Sequence, residues 1–305
     1  MKIILLFISP LAALIFSPLF SGIISKVKAF ISGRKGQPLL QVYYNLFKLF
    51  KKGTILSNST SWIFRISPAL IFTFVLSATA FIPVLQIPTT AIFKGDMILM
   101  LYLLGISRFF LIISAMDTGS VFEGMGASRE AFFSALVEPV MFICLINIMK
   151  VAHTDSLAAA LLDPMTSNSI AMFFSAIPIF ILLLVENARI PFDDPGTHLE
   201  LTMIHEVMIL DNSGPSLGFL EYAASIKLWL FSLILALLVI PELPFGLFIK
   251  TIVLGLIMII IAIIVGIIES IMARSQLFRI PQIIFGAGVI SFLGFFIITT
   301  NILVW

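Results

Sequence analysis

The residues best suited to chemistry in this sequence are carboxylates set among long apolar runs. A charge at the centre of a membrane-spanning helix costs about 2.5–3.5 kcal/mol on insertion scales, so each one needs a compensating role. Glu138 stands in Leu136-Val137-Glu138-Pro139. The proline that follows it deprives a backbone carbonyl of its donor, which makes the spot polar twice over. Glu186 closes one apolar run, Glu221 opens another, and Glu269 sits near the end of a third. Asp117, Glu123 and Glu130 gather near the entry to the run that holds Glu138, with Arg129 as a local basic partner. A buried carboxylate has a raised pKa and loads and unloads a proton near neutral pH, so several in succession form a candidate proton or ion relay. For Glu269, Glu123 and Asp117 the plainer expectation is an interfacial side chain turned towards lipid headgroups.

The densest stretch runs from Glu186 to Glu206 and includes Arg189, Asp193, Glu200 and two histidines. Pro191, Pro195 and Gly196 break it into a turn, and Thr197 is placed to cap a short helix starting at His198. His198 and His205, seven apart, fall on roughly one face of that helix beside Glu206. Their spacing matches no zinc signature such as His-Glu-x-x-His, so hydrogen-bonded or solvated histidines are expected and no metal site. No phosphate loop, nucleophile with its base or dinucleotide fingerprint occurs, so the chain alone is expected to catalyse no bond chemistry. Cys144 is the single cysteine. An iron–sulfur cluster needs four ligands, so a metal cofactor of the working assembly belongs on another chain.

The elements that must position these groups follow from composition. The chain has 305 residues, 60% hydrophobic and 11% charged, with mean hydropathy +1.16; soluble domains carry about 25% charged residues. No aqueous surface can be built from so few charges, and the expected class is an all-α polytopic membrane protein. A spanning helix needs about 20 mostly apolar residues. Eight segments qualify, at about 3–24, 62–86, 96–116, 130–151, 168–186, 222–241, 246–270 and 281–303. The first lacks a small-residue cleavage pattern and reads as a retained helix.

Eight spans put both termini on one side. Thirteen basic residues (Lys26, Lys28, Arg34, Lys35, Lys48, Lys51, Lys52, Arg65, Arg129, Arg189, Lys227, Arg274 and Arg279) lie on or near the odd-numbered loops; only Lys2, Lys94, Lys150 and Lys250 fall opposite, and Arg108 lies inside the third span. The positive-inside rule then makes the odd loops cytoplasmic and both termini external. The whole chain reads as one integral membrane domain over 1–305, with a basic loop at 25–61 and an acidic coupling loop at 187–221. Within the basic loop, Gln41, Asn45, Lys48 and Lys52 share one helical face while leucines and aromatics fill the others, the pattern of an amphipathic helix in the membrane interface. The same face is a candidate dock for a soluble partner, and nothing points to nucleic acid.

The run Glu186 to Asp193 resembles the Glu-x-x-Arg-x-Pro-x-Asp motif of the membrane subunit shared by respiratory complex I, where it is subunit 1, and membrane-bound NiFe hydrogenases. Arg34 to Leu49 is similar to the segment after that family's first helix. Gly124-Met125-Gly126-Ala127-Ser128-Arg129-Glu130, Leu136 to Pro139, and Thr197 to Glu206 resemble the hydrogenase branch, which includes formate hydrogenlyase subunit 4 and the energy-converting hydrogenases. Three departures occur in the first loop: Gln37 follows Gly36, Val42 follows Gln41, and Asn45 replaces an acid. The resemblance implies eight spans and a subunit that anchors a soluble electron-transfer arm and joins it to antiporter-like membrane subunits. By position it implies that Glu186, Arg189, Asp193, Glu200, Glu206 and Glu221 form the family's charged loop and funnel and that Glu138 is its intramembrane glutamate; with Glu130 added from its place at the entry to the fourth span, the acids make up the candidate relay. Arg189, Arg34, Lys35 and Lys48 then belong to docking and loop electrostatics. It places the NiFe centre and the iron–sulfur clusters on the hydrogenase large and small subunits at the cytoplasmic side of the inner membrane. Two other readings stand beside it: the quinone-site subunit of complex I, and an autonomous secondary transporter, whose expected paired halves with broken helices are not evident.

Overall fold

The computed structural model describes residues 2–57, 59–84, 93–162, 169–193, 203–240 and 246–300. Among the described residues the secondary structure is helical throughout. Long, predominantly apolar segments give α1 (Lys2–Ile31), α3 (Trp62–Ala78), α4 (Asp96–Asp117), α5 (Val121–Val151), α7 (Ser169–Glu186), α9 (Gly214–Val239), α10 (Leu247–Ile271) and α11 (Ile280–Thr300). Three shorter helices join them: α2 (Gln41–Lys51), α6 (Leu157–Leu162) and α8 (His205–Met208). Seven of the long helices have the length and apolarity of membrane spans. The apolar part of α7 whose side chains are described, Phe173–Glu186, is shorter, so the expectation of eight spans is approximate.

The core forms around α9. Its stretch from Leu228 to Leu238 is apolar on every side except for Ser232, the pattern of a helix surrounded by other helices, and all of these residues are buried. α1, α2, α3, α7 and α10 all pack on it. α5 lies against α4, α7, α8 and α11 and completes the bundle. Prolines inside the spans are put to use in this packing. Pro18 leaves the Leu14 carbonyl without its usual donor four residues on, and the Tyr222 hydroxyl of α9 donates to that carbonyl at 2.5 Å. The Tyr43 hydroxyl of α2 donates to the adjacent Ile15 carbonyl, also at 2.5 Å. The amphipathic helix is thereby tied to α1, and its Phe50 ring meets Phe219 of α9 edge-on at 5.1 Å.

Several boundaries differ from expectation in ways that move the site. α5 starts at Val121, nine residues before the expected 130, because residues 121–129 continue the helix under the loop. Glu138 therefore lies near the middle of a 31-residue helix rather than two turns from its start. α9 starts at Gly214, with Pro215 in its first turn, so Glu221 sits two turns inside it instead of opening it. α1 runs on to Ile31, into the expected loop. α8 begins at His205; the expected helix start at His198, together with Thr197 and Glu200, lies outside the described residues.

Candidate functional site

Arg108, in the middle of α4, is 8% exposed, and each of its three nitrogens faces a different carboxylate. Its Nε lies 3.6 Å from Glu130 Oε1, its Nη1 3.1 Å from Glu138 Oε1, and its Nη2 donates to Glu186 Oε1. The other oxygen of Glu186 faces Lys227 Nζ of α9 at 3.3 Å. Four helices thus meet at one charge cluster. A guanidinium suits its centre, because it stays ionised when desolvated and its planar fork serves several acceptors at once. Glu186 is buried, and Glu138 opens into a cavity of about 720 Å3 between α4 and α5.

A second cluster organises the turn after α7. That helix closes with the Arg189 N–H donating to the Leu184 carbonyl at 2.9 Å and the Ala188 N–H donating to Val185 at 3.1 Å. This double closure requires a left-handed residue, and Ala188 takes it with φ 48°. The turn sends Arg189 inward to Glu269 Oε1 at 3.3 Å, whose other oxygen meets Lys28 Nζ of α1 at 2.9 Å. Four residues on, Asp193 is buried. Its Oδ2 accepts the backbone N–H groups of Ile204 and His205, each at 3.0 Å, and its Oδ1 lies 3.3 Å from Arg274 Nη2. Asp193 therefore pins the start of α8 to the end of α7.

A void of about 20 Å3 separates the two clusters, bordered by Arg108, Glu130 and Glu186 on one side and by Asp193 and Ile204 on the other. That is room for about one water molecule, in a setting with enough polar partners to hold it. Beyond it lies α8. Burial and the negative charges of Glu221 and Asp193 push the Glu206 carboxyl up to about 7, against the opposing pull of Arg189. Burial, reinforced by Lys227 and Arg189, pushes His205 down to about 4, so it is neutral at physiological pH.

Of the residues singled out in the sequence, Glu130, Glu138 and Glu186 meet at Arg108, with Asp193 and Glu206 above them. Glu221 is exposed on α9, and Arg34, Lys35 and Lys48 are exposed around α2. Arg189 faces inward to Glu269. Glu200 lies outside the described residues. Arg108, a single charge inside an apolar run, and Lys227, a charge near a loop, are the cations of the cluster. The lone arginine within an expected span was the available signal. Glu269 and Glu123, expected at headgroups, are both buried; Glu123 Oε1 accepts the Asp211 N–H at 3.0 Å. Asp117 Oδ2 accepts the Ser61 N–H at 2.7 Å, where the Ser61 hydroxyl caps α3. Cys144 is buried, donating to Ser291 Oγ at 3.2 Å.

Fold and site together define a multi-pass membrane protein whose helices enclose ion-paired carboxylates in reach of one another. The family model described as NADH dehydrogenase matches residues 1–300, and the chain belongs to that family. Formate hydrogenlyase subunit 4 of Escherichia coli (strain K12) is 29% identical over 97% of this chain and 98% of its own length. Hydrogenase-4 component C of the same organism is 31% identical over 76% of this chain and 73% of its own. A chain of the membrane-bound sulfane sulfur reductase, an archaeal respiratory membrane complex, superposes with a TM-score of 0.82 over 97% of this chain and 99% of that one, at 21% identity, which establishes a shared fold.

Proposed function

We propose that this chain is the membrane anchor and ion-coupling subunit of an energy-converting NiFe hydrogenase or formate hydrogenlyase complex. It holds a soluble redox arm against α2 and α8 and links electron transfer there to proton or sodium translocation in the membrane. The observation that carries this reading is the succession Glu206, Asp193, one-water void, Glu186 with Glu130, Arg108 and Glu138. It leads from a carboxyl poised near neutral pH to a cavity at mid-membrane depth. End-to-end similarity to formate hydrogenlyase subunit 4 supports the hydrogenase branch. In this reading reduction in the soluble arm changes the field at the loop, shifts proton occupancy at Glu206, and displaces charge along the succession. The NiFe centre and iron–sulfur clusters belong to hydrogenase large and small subunits seated at the basic end, facing the cytoplasm, with antiporter-like subunits beside the bundle in the inner membrane and both termini outside. The test is to purify the assembly through a tag on this chain and assay hydrogen evolution from a reduced low-potential donor. Nickel in the preparation with hydrogen evolution is the expected result. Quinone reduction without nickel would instead favour the complex I reading, for which the 30% identity to the NADH-ubiquinone oxidoreductase chain 1 of Chondrus crispus over 60% of this chain speaks.

A further inference from the structure

The groove between α4 and α5 combines two features that lipid alone does not satisfy. The small residues Gly105, Ala131 and Ser134 line it beside the rings of Tyr102, Phe109 and Phe142, so a neighbouring backbone can approach closely at its floor. Glu138 opens into it with a side chain 59% exposed, against 4% for Glu186 and 20% for Glu130. Arg108, which pairs with Glu138, is nine residues from the Asp117 end of α4, about 13 Å at about 1.5 Å per residue. That depth is inside a hydrocarbon core about 30 Å thick, beyond the reach of lipid headgroups, and an acid facing acyl chains there is costly. The cluster is also unbalanced: Arg108 and Lys227 face the three carboxylates Glu130, Glu138 and Glu186.

We propose that this groove seats a membrane-spanning helix of a partner subunit that carries a lysine or arginine at mid-depth, and that Glu138 takes that side chain as its second ion-pair partner. The occupant is defined by charge: one added cation balances the cluster and closes the only one of its three carboxylates left open. The inference rests on the reading that the chain works within a multi-subunit membrane complex.

The test uses the complex purified through a tag on this chain, with a benzophenone amino acid replacing Tyr102 or, as a lipid-facing control on α11, Phe285, which is 73% exposed. The expected product at Tyr102 is an adduct with one membrane-spanning peptide that contains a lysine or arginine, absent from the Phe285 control. Adducts with lipid only, or with a helix lacking a basic residue, would overturn the proposal. A water-soluble maleimide supplies a second reading at Ser134→Cys. Labelling at least tenfold slower in the assembled complex than after detergent separation of the subunits is expected; equally fast labelling in both means a water-filled vestibule and overturns it. If nickel-containing partners co-purify and Tyr102 still crosslinks only lipid, the groove proposal fails and the hydrogenase reading stands. A chain that purifies alone overturns both.

Discussion

Arg108 shows how a residue that is costly in isolation becomes indispensable in context. Its guanidinium cannot shed its charge on burial, and it in turn keeps carboxylates of α5 and α7 in one place. Removing one partner of a buried charge group costs about 3–5 kcal/mol, because the survivors stay buried unpaired. Arg108→Met is therefore expected to lower the yield and thermal stability of the detergent-extracted protein, read by fluorescence-detected size exclusion. Arg108→Lys is expected to recover only part of it, since an ammonium cannot serve three separate carboxylates in a fixed plane. Glu206 differs because it titrates. With its carboxyl raised from 4.5 to about 7, the folded loop binds the proton more tightly than the unfolded chain, so its stabilisation is full below about pH 4.5 and is lost as pH rises through about 7. Hydrogen exchange over residues 203–209, corrected for intrinsic chemistry, is expected to rise between pH 6 and 8, and Glu206→Gln to flatten that rise. The carboxylates of this site were legible in the sequence because an acid in an apolar run stands out. Their counter-ions were less so: Arg108 meets Glu138 and Glu186 across sequence separations of 30 and 78 residues. The burial of Glu269 is hidden in the sequence for the same reason, since α1 brings Lys28 to it from the other end of the chain.

The elements set these geometries through their ends and their points of close approach. α8 sits on α5 at Gly126, where a Cβ would overlap Val207 and Met208. A Gly126→Val substitution is expected to displace α8 and expose residues 203–209 to protease. The end of α7 carries a smaller, opposite opportunity. An alanine in the left-handed region costs about 1–2 kcal/mol, partly offset by the freedom glycine adds to the unfolded chain. Ala188→Gly is expected to stabilise the protein by about 0.5–1 kcal/mol, measured as a rise in thermal midpoint in detergent. Hydropathy located the long helices well, because lipid-facing length is a composition property. It placed the starts of α5 and α9 late, since residues 121–129 and 214–221 are polar enough to read as loop yet are held helical by packing against α8 and α2.

Across the whole molecule, charge is arranged along a line while stability is arranged around a hub. α9 is enclosed by its neighbours and gives the bundle a stiff centre, and the ion-paired carboxylates lie between it, α4, α5 and α7. The amphipathic pattern at 41–52 appears as α2, braced by Tyr43 on α1 and Phe50 on α9. What the sequence could not convey is that the loop and the span share one network, because the void between Asp193 and Glu186 exists only once α7, α8 and α5 have packed. Sealed vesicles holding the purified complex show whether redox chemistry in a soluble arm drives ions through this chain's carboxylates. The measurement is the number of ions moved per hydrogen evolved, followed with a pH dye and a sodium dye, for the wild type and for Glu138→Gln. A gradient is expected in the wild type, with a ratio at least tenfold lower in the variant. An unchanged ratio in Glu138→Gln would mean that ions do not pass by way of Glu138.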